Sequence, residues 1–445
     1  MTGETGLRTT RKKLGLFSCL LFGIAMLLPI APVPVYGVIQ PLSMGHMALC
    51  YVLAAIPMTC TAWSYGMMGA EFPRAGSSYT FVSKTLHPYL GTIVGWTILL
   101  DYLLFPLVSY VCVAIYLCEL IPALDYTVVL ICTIVFVGFV NLFKIKNLSL
   151  LNNFLTIFGS LTVFYFVFAA INTLNGGDIG LGISSIGFYN PETFDWGLIF
   201  AGASIACFSY LGFDTLTTLA EDIDNPRRTL PKASVLTCVI MTVVFFFMSW
   251  LAQCVYPDFT YSNPDAAMMD AVRIAGGNTL SIFVCLAMIA GCFAFAMDMM
   301  AGVSRLLFGM GRDGVLPKKF FGYAHPKTGV PLYNVILVTI LSLVFSFLSL
   351  GDMIPLVNFG ALLAFTLVNF CAFYHFYIKL KKRQGINKIK YLIFPLFATA
   401  TCFVLWLSLS GMAQIVGFSW VAFGIVFIAI RSKGFRVSFK SFDEE

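Results

Sequence analysis

Long apolar runs separated by short polar segments set the pattern of this chain. Charged residues, Gly and Pro divide it into about twelve spans, each near or above the ~20 residues that a helix needs to cross a bilayer. Their cores fall at 14–40, 46–70, 88–118, 125–143, 149–173, 196–221, 233–256, 279–308, 331–349, 353–378, 391–410 and 413–430. An all-α integral membrane protein is predicted, with the lipid bilayer as its solvent. Two spans are interrupted. The sixth carries Cys207-Phe208-Ser209-Tyr210-Leu211-Gly212-Phe213-Asp214 inside an apolar stretch, and the first carries Pro29-Ile30-Ala31-Pro32-Val33-Pro34. An acidic side chain is costly in lipid, and Gly or Pro weakens the helix beside it, so both are read as broken helices whose backbone lines a cavity. Breaks five spans apart have opposite orientations. The pattern therefore predicts a five-plus-five inverted repeat, 14–173 against 196–378, followed by two additional helices at 391–430. All lie within one transmembrane domain over 1–445, with a binding site between broken helices 1 and 6. Residues 222–232 read as a charged, proline-bearing loop that brings span 6 to water.

Charge placement adds orientation. All but one of the 27 Lys and Arg residues fall in segments on the face shared by both termini, and only Arg273 lies opposite. The alternation predicts an even number of crossings with both ends cytoplasmic, in the cytoplasmic membrane. It also accounts for the net charge of +6 without a nucleic-acid partner. With 59% apolar and 11% charged residues and a mean hydropathy of +0.89, a soluble globule is excluded. Arg8, Arg11, Lys12 and Lys13 precede an apolar run without a small-residue cleavage pattern, so the first span is expected to be retained. The longest outer loops, 172–195 and 256–278, are too small for a separate domain. The 13 cysteines show no paired spacing and read as small buried hydrophobes, with no metal or cofactor implied. Gly309 to Gly314 matches GxGxxG, but no strand precedes it, so a cytoplasmic loop with glycine turns is expected rather than a dinucleotide site. The Asn147-Leu148-Ser149 sequon falls on the cytoplasmic face and should be unmodified.

Four stretches resemble the amino acid, polyamine and organocation transporter superfamily: Glu71-Phe72-Pro73-Arg74-Ala75-Gly76-Ser77-Ser78-Tyr79, Phe208 to Asp214, Asn225-Pro226-Arg227-Arg228-Thr229-Leu230-Pro231-Lys232-Ala233, and Ser304-Arg305-Leu306-Leu307 through Gly314. Within it the chain is most similar to bacterial putrescine importers, through Leu100-Asp101-Tyr102-Leu103, the span-6 motif with Thr217 to Glu221, and Gly322-Tyr323-Ala324-His325-Pro326-Lys327. The resemblance implies a LeuT-like fold in which spans 1, 2, 6 and 7 rock against spans 3, 4, 8 and 9. It implies a secondary active transporter with no catalytic chemistry. The cargo is a small cationic amine such as putrescine or, alternatively, an amino acid, with a proton as a candidate coupling partner. The sequence departs from those importers in having Pro34 where many of them place an acidic residue.

Three carboxylates lie deep in apolar spans, Asp101, Asp214 and Asp298, and no Lys or Arg lies comparably deep. Each has a structural reading as a capped or hydrogen-bonded carboxyl. Together they favour a cationic cargo, because a buried carboxylate without a partner takes up a proton or recruits a cation; all three are candidates for proton coupling. Span 5 offers Asn152 and Asn153 but no lysine. Amino acid carriers of this superfamily usually use a glycine-rich first break whose N–H groups hold the cargo carboxylate. Here Pro29, Pro32 and Pro34 supply no N–H. The expected cargo-binding residues are Asp101, Tyr102, Phe208, Tyr210, Asp214 and Tyr36, with Trp96 a weaker candidate. Aromatic faces in this set would hold an ammonium.

Overall fold

The computed structural model describes residues 13–73, 77–143, 148–177, 180–220, 222–312, 314–326 and 328–434, without the side chains of 77 and 148–153. Several features singled out in the sequence lie outside it: the basic residues 8–12, Arg74 to Gly76, Lys144 to Asn147, the side chains of Asn152 and Asn153, Glu221, Asp313 and Lys327.

Fifteen α-helices form the body of the chain: α1 Leu16–Leu27, α2 Pro32–Leu42, α3 Met47–Glu71, α4 Ser77–Thr85, α5 Pro88–Leu120, α6 Tyr126–Asn141, α7 Leu148–Asn175, α8 Trp196–Ala206, α9 Pro226–Val255, α10 Met268–Arg312, α11 Lys318–Phe321, α12 Leu332–Val344, α13 Leu350–Ala372, α14 Phe394–Leu407 and α15 Gly411–Arg431. Among the described residues nine helical segments are long and apolar enough to span a bilayer. The pair α1 and α2 makes a tenth, bent by 57°, and α6 and α12 are shorter apolar helices of 16 and 13 residues. Each of these elements falls on one of the apolar runs read from the sequence.

Local chemistry corrects the boundaries. The segment 222–232 is a loop only as far as Asn225, where α9 begins with Pro226 at its first position. A missing N–H costs nothing there, because first-turn donors have no intrahelical partner. The outer segment 256–278 is not all loop, since α10 starts at Met268 and changes direction at Gly277, whose φ is 63°. Gly309 and Gly311 belong to the last turns of α10, and Gly314 takes up the turn that follows at φ 80°. The glycine series therefore ends a helix instead of making a loop. α13 and α14 are extended towards each other by π-helical turns, Phe373–Lys379 and Ile389–Ile393.

Packing sorts the helices by solvent. On α7 the exposed side chains Phe154, Ile157, Leu161, Phe164 and Phe168 recur at intervals of three and four residues. This is one exposed apolar face of an α-helix. α5, by contrast, is buried along most of its length, against α10 and α13. A second, smaller apolar cluster joins Cys19, Ala70, Leu216, Ala220, Ile223, Leu230 and Ala233. Beside it the chain makes its one described β-bridge: the Leu14 N–H donates to the Asp222 carbonyl at 2.9 Å, and the Asp224 N–H donates to the Leu14 carbonyl at 3.0 Å.

Candidate functional site

Between α1 and α2 the chain turns through Leu28, which takes a positive φ of 51°, and Pro32 and Pro34 open α2. The N–H groups of Ala31 and Val33 bond to the carbonyls of Leu28 and Ile30 at 2.9 and 3.1 Å. With Pro29, Pro32 and Pro34 lacking the group altogether, this turn has few donors left for an anion.

At the second interruption α8 gives way at Ala206 to 3-10 turns, Cys207–Tyr210 and Phe213–Leu219. The carbonyls that α8 leaves free at its end need partners. Asn358 of α13 supplies them, its amide donating to the Ser204 and Ile205 carbonyls at 2.8 and 3.2 Å. Between the two 3-10 turns stands Gly212 at φ 123°, a conformation open to glycine and costly for residues with a Cβ. A Cβ there would also stand 2.8 Å from the Met26 carbonyl oxygen of α1. The two interruptions thus meet backbone to backbone.

Within the helical bundle lies a cavity of about 420 Å³. α5 lines it with Ile98, Asp101, Tyr102 and Phe105, and α10 with Phe295, Met299, Gly302 and Leu306, both sets at the three- and four-residue spacing of one helical face. Span 6 contributes Gly212, Asp214 and Thr215. Tyr65 and Phe365 add aromatic walls; Tyr65 packs edge-on to Phe213 and Phe365, with its hydroxyl 2.6 Å from the Ser78 Oγ. Asp101 is 8% exposed, and its Oδ1 is buried with no hydrogen-bond partner among the described residues. The Asp214 carboxylate stands beside the backbone amides of Asp214 itself, Gly212 and Thr215. Neither carboxylate forms a described ion pair with Lys or Arg, although Arg305 lines the same cavity.

Of the residues expected at the site, Asp101, Tyr102 and Asp214 share this cavity. Phe208 faces a separate chamber of about 60 Å³ between the two interruptions, together with Leu28, Ile30, Pro34 and Ser209. Its ring stacks on Phe105 at 5.2 Å and 15°, so Phe105 borders both spaces. Tyr210 lies elsewhere. Its hydroxyl is 2.9 Å from the Thr242 Oγ1 and donates to the Tyr51 carbonyl at 3.3 Å, while its ring packs on Phe245. Tyr36 is buried on α2, edge-on to Tyr261 of the segment after α9. Asp298 faces a recess of about 20 Å³ with Leu28, Thr156 and Phe295, and Trp96 stacks on Trp420 at 4.9 Å. Tyr65, Phe105 and Phe365 carried no distinct sequence signal, and Arg305 stood only within the motif beginning at Ser304. Phe105 alone was open to inference, standing one helical turn beyond Asp101.

The ring of Tyr102 sits opposite Gly302, where a Cβ would lie 3.8 Å from its Cε1. Tyr102→Phe, which keeps the ring, is expected to reduce transport only modestly. Tyr102→Leu removes the aromatic face, and a cation over such a face gains roughly 2 kcal/mol when desolvated. About a tenfold or greater loss is expected, read from initial uptake rates normalised to the protein inserted in the membrane. Normal uptake by Tyr102→Leu would remove the ring from the binding surface.

A bundle of apolar helices around a carboxylate-lined cavity is the architecture of a multi-pass membrane protein, and its similarity to permeases makes it a transporter rather than an enzyme. The chain belongs to the amino acid permease family, whose model matches residues 14–442, and has the LeuT-like fold of that family. It is 31% identical to the low-affinity putrescine importer PlaP of Escherichia coli K12 over 98% of this chain and 97% of that protein. The branched-chain amino acid permease BcaP of Bacillus subtilis is 24% identical over 97% of this chain and 96% of its own. The vacuolar cationic amino acid transporter 4 of Arabidopsis thaliana is 26% identical over 73% and 56%.

Proposed function

We propose that the protein imports a short cationic amine such as putrescine across the cytoplasmic membrane by alternating access. One observation carries the reading: Asp101 and Asp214 face a common cavity, and neither has a described ion-pair partner. A carboxylate held out of water without a partner is costly, and a cargo ammonium offsets that cost. Tyr102, Tyr65 and Phe365 would enclose the methylene chain, and Phe208 would border the route between the interruptions. The proline-rich turn before α2 supports the same choice, since it holds few N–H groups for a cargo carboxylate. Similarity to a putrescine importer along almost the whole chain supports it as well.

In this reading the inverted repeats 14–173 and 196–378 form the machine, 391–430 adds two helices, and both termini face the cytoplasm. The membrane potential alone drives inward movement of a cation by about 2.3 kcal/mol per charge per 100 mV. Asp101, Asp214 or Asp298 would carry a proton if one is coupled. Tyr36 and Tyr210, outside the cavity lining, would act through the shape of the interruptions rather than by touching cargo in this conformation.

Arg305 in the cavity wall suggests a second reading, an amino acid cargo whose carboxylate pairs with its guanidinium. Ornithine separates the two, being putrescine with a carboxylate added. Putrescine is expected to inhibit labelled uptake in proteoliposomes at concentrations at least tenfold lower than ornithine. Equal or better inhibition by ornithine sinks the amine reading.

A further inference from the structure

We infer that Arg305 sets the length of amine the cavity accepts, by repelling a third ammonium. This inference rests on the amine reading above. The cavity has two ends. Phe105 and Phe295 close the deep end, where it adjoins the chamber between the interruptions. Arg305 lies towards the other, three residues beyond Gly302, whose position faces Tyr102. Three residues of helix advance about 4.5 Å, so Arg305 stands nearly one turn further towards the Arg312 end of α10. Side chains on a helix lean back towards its N-terminus, which turns the guanidinium into the cavity rather than away from it. Among the described residues Arg305 forms no ion pair, although Asp101 and Asp214 line the same cavity.

A four-carbon diamine can place its two ammonium groups near Asp101 and Asp214. Spermidine carries the same unit plus an aminopropyl arm. With the deep end closed by rings, that arm extends towards Arg305 and brings a third positive charge nearer the guanidinium. Arg305 is itself solvent-exposed, so water screens the repulsion, and two unit charges about 10 Å apart at an effective dielectric between about 20 and 80 change affinity several-fold. Specificity built this way is a penalty against the wrong cargo rather than an added contact for the right one.

The test is competition for labelled putrescine by unlabelled putrescine and spermidine, in proteoliposomes carrying wild type, Arg305→Gln or Arg305→Lys. Wild type is expected to favour putrescine. Arg305→Gln should raise the spermidine-to-putrescine affinity ratio several-fold, and Arg305→Lys, which keeps the charge, should hold it near the wild-type value. A ratio unchanged in Arg305→Gln overturns the inference, as does loss of binding of both amines by that variant when Arg305→Lys retains it. The latter result would mean that the positive charge supports the structure of the site rather than selecting against cargo. Failure of wild type to bind putrescine would instead strike the amine reading itself, so the two failures are distinct. Thermal unfolding of each variant in detergent separates loss of fold from loss of binding.

Discussion

Asp101→Asn is expected to insert normally and to lose binding of a cationic cargo at every pH. The substitution conserves shape and hydrogen-bonding capacity while removing the charge. Asp101 lies in the middle of the most buried helix of the bundle and shows an unpartnered Oδ1 at the cavity wall. A hydrogen bond to a charged group contributes about 1.5–3 kcal/mol, so affinity should fall by about tenfold to about 150-fold. Two other roles for the carboxylate give different results. A purely structural carboxyl would be replaced well by Asn, and transport would largely survive. A carboxyl that carries only the coupling proton would leave equilibrium binding intact while the pH dependence of accumulation disappeared. Binding and pH-dependent uptake measured on the same purified variant distinguish the three, and intact binding would falsify the cation-site role.

Gly212→Ala should be at least as damaging, for a backbone reason. A residue with a Cβ held at φ 123° carries about 1–3 kcal/mol of strain, and the added methyl would press on the Met26 carbonyl 2.8 Å away. Relief requires α1 or the 3-10 turns to move, which displaces Leu211, Asp214 and Met26 from the cavity wall together. Transport is expected to fall to background, with a melting temperature several degrees lower in detergent. Gly212→Ala with wild-type uptake would show that this approach of the two interruptions is dispensable.

The order of the spans was legible in the sequence because lipid imposes a length and a composition on every crossing. So were the two interruptions, since Asp, Gly and Pro have few other reasons to stand in an apolar run. What escaped was whatever depended on neighbours distant in sequence. Tyr65 and Phe365 wall the cavity, yet in a chain with 16% aromatic residues nothing marks them. Tyr210 adjoins the Gly212 turn in sequence, but the 3-10 winding of residues 207–210 directs its hydroxyl to Thr242. Asp298 belongs to the same helix as Phe295 and Met299, and the helical rotation between them turns it to a different recess. Arg305 drew notice only as part of a motif and as a charge on the terminal face; its place in the wall depends on how α10 faces α5.

The join between Leu14 and the segment 222–224 has an implication for how this protein diverges. Both hydrogen bonds use main-chain atoms, so side-chain identity at these positions leaves them in place. Only proline at 14 or 224, which lacks the donor, deletes one outright. Substitutions at 222 and 224 can therefore leave intact the stitch between the start of the first span and the exit of the sixth, while Leu14 and Ile223 are held by the apolar cluster they pack in. A comparison of side chains would score as unconstrained a feature that the backbone alone inherits.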